Sequence, residues 1–249
     1  MRRRAALGLL GAAIVAGGLA AAPARWASDP GAPPTRVERT PDERIRRPAA
    51  PPRPRPEARR RADRSCPARR SPLRGRASRA LGLPHRGRLV SGVRLPCQGE
   101  HFFTWDPIRR SSPNRSWRRH GTDRLVRLIL VTADRYAADL PRAPRLAVGD
   151  LSRPRGGDFG PRFGRVGHLS HQNGLDVDVY YPRRDRRERA PREPRQVDRR
   201  LAQDLVDRFV AAGAERVFVG PRVGLEGPPG VVQVLARHDD HMHVRLPAR

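Results

Sequence analysis

The pattern of apolar and polar positions changes near residue 81. Before it almost no apolar periodicity is visible; after it, short periodic runs follow one another. Gly87 to Pro96 (GRLVSGVRLP) alternates enough for a short strand or an ordered loop. Thr122 to Leu140 has helical spacing: Thr122 suits a cap, and Leu125, Val126, Ile129 and Leu130 share one face. Leu146-Ala-Val148 reads as a short strand ending in Gly149-Asp150, and a glycine-rich loop runs from Gly156 to Gly167. Leu175 to Tyr181 then alternates with period two. Leu175, Val177 and Val179 face a core, and Asp176, Asp178 and Tyr180 face away.

An Arg- and Pro-rich loop spans about 182–194. Val197, Leu201, Leu205, Val206 and Phe209 return to helical spacing, with Gly213 suited to the helix end. Arg216 to Gly220 is a short strand, and Val231 to Leu235 is another apolar run. His241 to Leu246 alternates again, with His241, His243 and Arg245 on one face and Met242, Val244 and Leu246 on the other. These elements predict an α+β fold: a small, mainly antiparallel sheet with flanking helices.

The region ahead of residue 81 divides in two. Residues 1–24 have a basic start (Met1-Arg-Arg-Arg4), an apolar small-residue run from Ala5 to Ala22, and a small-x-small site at Ala22-Pro-Ala24. That is the pattern of a cleaved export signal, with an uncleaved membrane anchor as the alternative. Residues 25–80 hold 17 Arg against 6 Asp plus Glu, and 11 of the 27 prolines. Such a segment buries too little apolar surface to offset its chain entropy, so a disordered linker is expected, with the folded domain at 81–249.

The chain carries 52 basic residues, all arginine, and a net charge of +27. Compositional drift or attraction to a polyanion would account for that charge. No nucleic-acid recognition module is evident. Cys66 and Cys97 are the two cysteines, an even number that in an exported protein suggests a disulfide, with two free thiols as the alternative.

Five of the eight histidines fall in two clusters, His168-Leu-Ser-His171 and His238-Asp-Asp-His241-Met-His243. Residues i and i+2 of a strand point to one side. Pairing the strand of Asp176 and Asp178 with that of His241 and His243 therefore sets carboxylates against imidazoles, and His171 can fold back to the same point. Two imidazoles and one carboxylate, with a position left for water, are the donor set of a catalytic zinc ion. Such an ion polarises a carbonyl and lowers the pKa of water to about 7. A bare His-x-His also occurs as a simple surface feature.

The strings His171-Gln-Asn-Gly-Leu-Asp-Val-Asp178 and His241-Met-His243-Val-Arg245 resemble the penicillin-insensitive murein endopeptidases, a zinc family related to lysostaphin-type and D-Ala-D-Ala metallopeptidases. The resemblance runs from about Gly87 to Leu246. It implies that His171, Asp178 and His243 are the ligands of one Zn2+. His241 and His238 would then serve the proton chemistry, and His168 would lie on the cleft wall or hold a second ion. Asp176 would support a ligand, and Arg245 would bind a substrate carboxylate or form a structural ion pair. Carboxypeptidase relatives place a glutamate three residues ahead of the first histidine of His-x-His. His238 stands there in this chain, which favours the endopeptidase branch. Known endopeptidases of this kind carry more cysteines, so their disulfide pattern does not transfer.

The implied activity is hydrolysis of D-alanyl–diamino acid cross-links in peptidoglycan, in the periplasm or the extracellular space, with anionic wall polymers as further partners. A D-Ala-D-Ala carboxypeptidase and a non-catalytic basic wall-binding protein are the competing expectations.

Overall fold

The computed structural model describes Cys66, residues 77–160 and residues 168–248. The expected signal segment, nearly all of the expected linker, and the end of the glycine-rich loop lie outside the described residues. Ten strands and two α-helices are present among the described residues, a mixed α+β architecture. No helix among them is long and apolar enough to cross a membrane.

The central sheet has six strands: β4 (Phe102–Thr104), β6 (Leu146–Val148), β7 (Asp176–Tyr180), β8 (Arg216–Val219), β9 (Val232–Val234) and β10 (His241–Arg245). Their spatial order is β4-β6-β7-β10-β8-β9. The middle pairings, β6–β7, β7–β10 and β10–β8, are antiparallel. The two edge pairings, β4–β6 and β8–β9, are parallel, so the sheet is mainly antiparallel, as expected, with parallel pairings at both edges. Two small ribbons flank it: β1 (Arg79–Leu83) with β2 (Arg86–Val90), and β3 (Val93–Arg94) with β5 (His120–Gly121). Strand β1 opens at Arg79, inside the segment expected to be linker.

Helix α1 (Asp123–Asp139) fills the predicted span. The Thr122 hydroxyl accepts from the Leu125 N–H at 3.2 Å and so satisfies one of the free donors of the first turn. Leu125, Val126, Ile129, Ala133 and Tyr136 recur at helical spacing and are all buried. Helix α2 (Arg199–Ala211) starts at the Asp198 cap, so the apolar Val197 sits just ahead of the helix that its spacing suggested it would join. At the other end Ala214 N–H donates to Phe209 O and Gly213 N–H to Val210 O. This Schellman closure needs the left-handed φ of +84° that Gly213 adopts.

Both helices pack on one face of the sheet, where Val177, Val179, Val217, Val219, Met242 and Val244 meet the apolar stripes of α1 and α2 in one core. Phe209 is fully buried there, and truncation to alanine would cost about 3–5 kcal/mol. Cys66 and Cys97 form a disulfide with Cα atoms 5.9 Å apart, and Cys66 is buried.

The opposite face is the unusual one. Every residue of β7 is buried, including Asp176, Asp178 and Tyr180 on the side away from the helices. Strands buried on both faces normally run apolar. Carboxylates at such positions require partners, because leaving them unpaired is costly.

Candidate metal centre

Strands β7 and β10 pair in the register that brings the two polar faces together. His243 lies opposite Asp178, Arg245 opposite Asp176, and His241 opposite Tyr180. Opposed residues of an antiparallel pair project to the same side, so each imidazole stands over a β7 side chain. His171 reaches this face from the loop ahead of β7. Its backbone φ is +67°, in the left-handed region that few side chains adopt. The turn is held by Ser152, whose hydroxyl donates to His171 O. It is completed at Gly174 (φ +79°), where an added Cβ would meet a Leu89 methyl carbon at 2.7 Å.

Three atoms converge. His171 Nε2 lies 3.1 Å from His243 Nδ1, and both lie 3.2 Å from Asp178 Oδ1. Donors bound to one tetrahedral zinc at about 2.0 Å are separated by about 3.3 Å, so this triangle is sized for such an ion. The outer hydrogen bonds decide which lone pairs face inward. The Leu151 carbonyl accepts from His171 Nδ1 at 3.1 Å, so that nitrogen carries hydrogen and Nε2 can present a lone pair. Asp176 Oδ1 accepts from His243 Nε2 at 2.8 Å, which likewise turns the lone pair of Nδ1 inward in the neutral ring. The buried Asp178 Oδ1 has no hydrogen-bond partner that meets full geometric criteria among the described residues, although both ring nitrogens lie 3.2 Å away. Two imidazole lone pairs and a carboxylate oxygen aimed at one point repel one another unless a proton or a cation sits among them. The donor set and its spacing fit a divalent metal.

The electrostatics agree. Burial alone would push the Asp178 carboxyl up, but the imidazoles of His171 and His241 beside it hold it well below the usual range. Burial lowers His171, favouring its neutral, ligating form. Burial also opposes charge on His243, yet Asp176 and Asp178 outweigh it and raise His243 to about 9. In the metal-free chain that ring carries the proton a metal would displace.

The remaining predicted residues surround this triangle. Asp176 also accepts from Arg245 Nε at 2.7 Å, so it braces His243 and is itself braced. The Arg245 guanidinium is thus engaged with Asp176 and lies over the Phe218 ring. His241 Nε2 is 3.8 Å from Asp178 Oδ1, and its Nδ1–H donates to Asp240 at 2.7 Å. His238 donates from Nδ1 to Ala236 O at 2.8 Å, and its ring centroid is 4.8 Å from that of His241. His168 Nδ1 is 3.8 Å from Asp178 Oδ2, and its ring centroid is 4.4 Å from that of His171. His168, His171 and Asp178 each offer a ligand atom within 4.8 Å of the others, so His168 borders the same site.

One residue of the site had no role in the sequence expectations. Gly149-Asp150 marked only the end of a strand, yet Asp150 Oδ2 accepts from His168 Nε2 at 2.7 Å. Asp150 is fully enclosed by a buried Arg118 ion pair, with Nε to Oδ1 at 2.6 Å, and by Asn114 Nδ2 at 2.9 Å. Its one sequence signal is a carboxylate one glycine beyond the end of an apolar strand.

The model of the penicillin-insensitive murein endopeptidase family matches residues 80–220, more than half of the chain. The chain belongs to that family. The matched span contains His168, His171, Asp176 and Asp178 and stops ahead of β10, so His241 and His243 are joined to it by the sheet pairing. Curated relatives include the penicillin-insensitive murein endopeptidases of Escherichia coli O1:K1, of strain SMS-3-5 and of O45:K1. Each is 31% identical over 104 residues, which is 42% of this chain and 33% of the relative. The match thus spans about a third of those relatives' length.

Proposed function

We propose that this protein is an exported zinc endopeptidase that hydrolyses the D-alanyl–diamino acid cross-links of peptidoglycan. The observation that carries the proposal is the convergence of His171 Nε2, His243 Nδ1 and Asp178 Oδ1 within 3.2 Å of one another, in a chain of this family. His171, Asp178 and His243 would hold the ion, and Asp176 would fix the His243 tautomer, as a carboxylate behind a ligating imidazole does. When bound, the zinc supplies Lewis-acid activation of the scissile carbonyl and of water.

The chain's own groups handle the proton. Burial works against charge on His241, but Asp178 and Asp240 outweigh it and raise its pKa, so the ring can hold a proton at Nε2 beside the reacting centre. His238 is lowered, chiefly by burial, and its Nδ1–H is committed to Ala236 O, which leaves Nε2 of a neutral ring as an acceptor. The pair therefore offers one donor and one acceptor at neighbouring positions, the requirement of general acid–base catalysis.

The test is mass-spectrometric analysis of purified sacculi digested with zinc-loaded protein. Cross-linked muropeptide dimers should become monomers, and about one zinc should copurify per chain. Release of free D-alanine from uncross-linked pentapeptide with dimers left intact would overturn the endopeptidase reading. Polyanion binding with no hydrolysis would overturn the enzymatic one. His243→Ala should lose both metal and turnover while keeping the far-UV circular dichroism of the parent; retained turnover would remove His243 from the ligand set.

A further inference from the structure

A cavity of about 340 Å³ opens on the same face of the sheet as the candidate metal centre. Its inner wall includes Tyr180, which lies opposite His241 in the β7–β10 register with ring centroids 5.6 Å apart. Tyr180 is two residues beyond Asp178 along β7, so the wall begins about 7 Å from the candidate ligand, the span of two residues of extended peptide. Tyr180 also belongs to a small apolar cluster on this face, against which Trp105 packs, and Trp105 forms another part of the lining. The body of the cavity is therefore aromatic.

Its mouth is basic. Arg110, Arg189 and Arg192 line it, all three exposed. The one carboxylate in the lining is Asp240, which is committed to His241 Nδ1. Both loops that present these arginines are braced. Asp106 holds the first, accepting from the Ile108 and Arg109 N–H groups at 2.9 and 3.0 Å and from Arg115 Nε at 2.6 Å. In the second, Gln196 Oε1 accepts from Arg183 Nη1 at 2.6 Å and from the Arg192 N–H at 2.8 Å, and Arg145 grips Glu188. The guanidinium groups of Arg110 and Arg192 thus stand on braced loops with no carboxylate partner within salt-bridge distance among the described residues. Arg189 has only a distant one, Asp185 at 3.9 Å.

Planar guanidinium forks beside an aromatic wall recognise carboxylates on a compact organic frame. We infer that this cavity is a carboxylate-recognising subsite for an acidic peptide, which seats a free carboxylate about two residues from the bond being cut. The inference rests on the endopeptidase reading and adds a specificity to it: substrates with free carboxylates near the cross-link are preferred over amidated ones.

The experiment uses zinc-loaded full-length protein and the double variant Arg189→Gln/Arg192→Gln. The substrates are a cross-linked muropeptide dimer with free carboxylates and the same dimer with those carboxylates amidated. The parent should favour the free dimer about tenfold in kcat/KM, mainly through KM, and the double variant should lose that preference. Equal cleavage of the two dimers by the parent would overturn the subsite while the proposed function stands, as would a preference that survives in the variant. If the parent cleaves neither dimer, the endopeptidase reading fails. The subsite is then judged by calorimetric titration with an acidic stem tetrapeptide and its amidated form. Tighter binding of the acidic form by the parent alone supports the subsite. Equal binding overturns it, as does displacement of the acidic form by polyphosphate at equal concentration.

Discussion

Asp176 offers the sharpest perturbation of the candidate centre, because it touches the proposed ligand His243 without being a proposed ligand itself. Its Oδ1 receives two donors, His243 Nε2–H at 2.8 Å and Arg245 Nε at 2.7 Å, at a position with no solvent exposure. The first of these bonds keeps the proton of a neutral His243 on Nε2, and so keeps the lone pair of Nδ1 on the metal side. Asparagine preserves an acceptor at the same place but removes the charge that makes the imidazole more basic. Alanine removes the acceptor and frees the ring to take the other tautomer. Carboxylates behind ligating histidines contribute about 10- to 100-fold in metal affinity. Asp176→Asn should therefore weaken zinc binding about tenfold, or about 1.4 kcal/mol, and Asp176→Ala about a hundredfold, or about 2.8 kcal/mol. Zinc affinity is measured by competition with a chromophoric chelator at fixed pH, and Co2+ substitution reports coordination geometry without turnover. Alanine also leaves Arg245 Nε without its acceptor, so melting of the metal-free proteins is recorded alongside to separate stability from affinity. Zinc binding in Asp176→Ala as tight as in the parent, with an unchanged Co2+ spectrum, would refute the tautomer argument.

Three further outcomes follow from other parts of the molecule. His120 is lowered to about 4 by burial and by the nearby Arg94 and Arg119, so between that value and 6.5 the unfolded chain binds a proton the folded one refuses. Its contribution is complete above pH 6.5 and falls away as pH drops toward 4, at most about 3 kcal/mol in all. His120→Gln should make the acid limb of a denaturant-derived stability profile shallower in that window, and an unchanged limb would show that His120 does not set it. Thr122→Ala removes the α1 cap and should lower stability by about 1 kcal/mol in urea unfolding, with the m-value unchanged. Cys66 and Cys97 close a loop with a sequence separation of 31, so the Cys66→Ser/Cys97→Ser chain should be less stable by about 3–4 kcal/mol on chain-entropy grounds, read as a lowered unfolding midpoint.

Local periodicity carried much of this fold because its causes are local. Thr122 with the stripe Leu125, Val126 and Ile129, and the alternation through Leu175–Tyr181 and His241–Leu246, depend only on which side chains share a face, and those elements formed where predicted. Phe102–Thr104 left no such mark. All three residues are buried in a strand too short to alternate, whose only strand partner among the described residues is β6, in parallel. The edge strands as a group are short, so whether they pair parallel or antiparallel is set by the path of the chain between them.

The candidate site divides along the same line. Residue types and spacing determined that imidazoles and carboxylates of β7 and β10 would lie on single faces, and that His171 stood close enough in sequence to join them. Only the tertiary structure decided that His243 falls opposite Asp178, that Leu151 and Asp176 turn both imidazole lone pairs inward, and that Asp150, clamped by the buried Arg118, reaches His168. Those contacts join residues 18 to 67 positions apart in the chain. Period and spacing act within one element. The direction of a lone pair depends on what packs behind the ring, and that is settled only when distant segments close on one another.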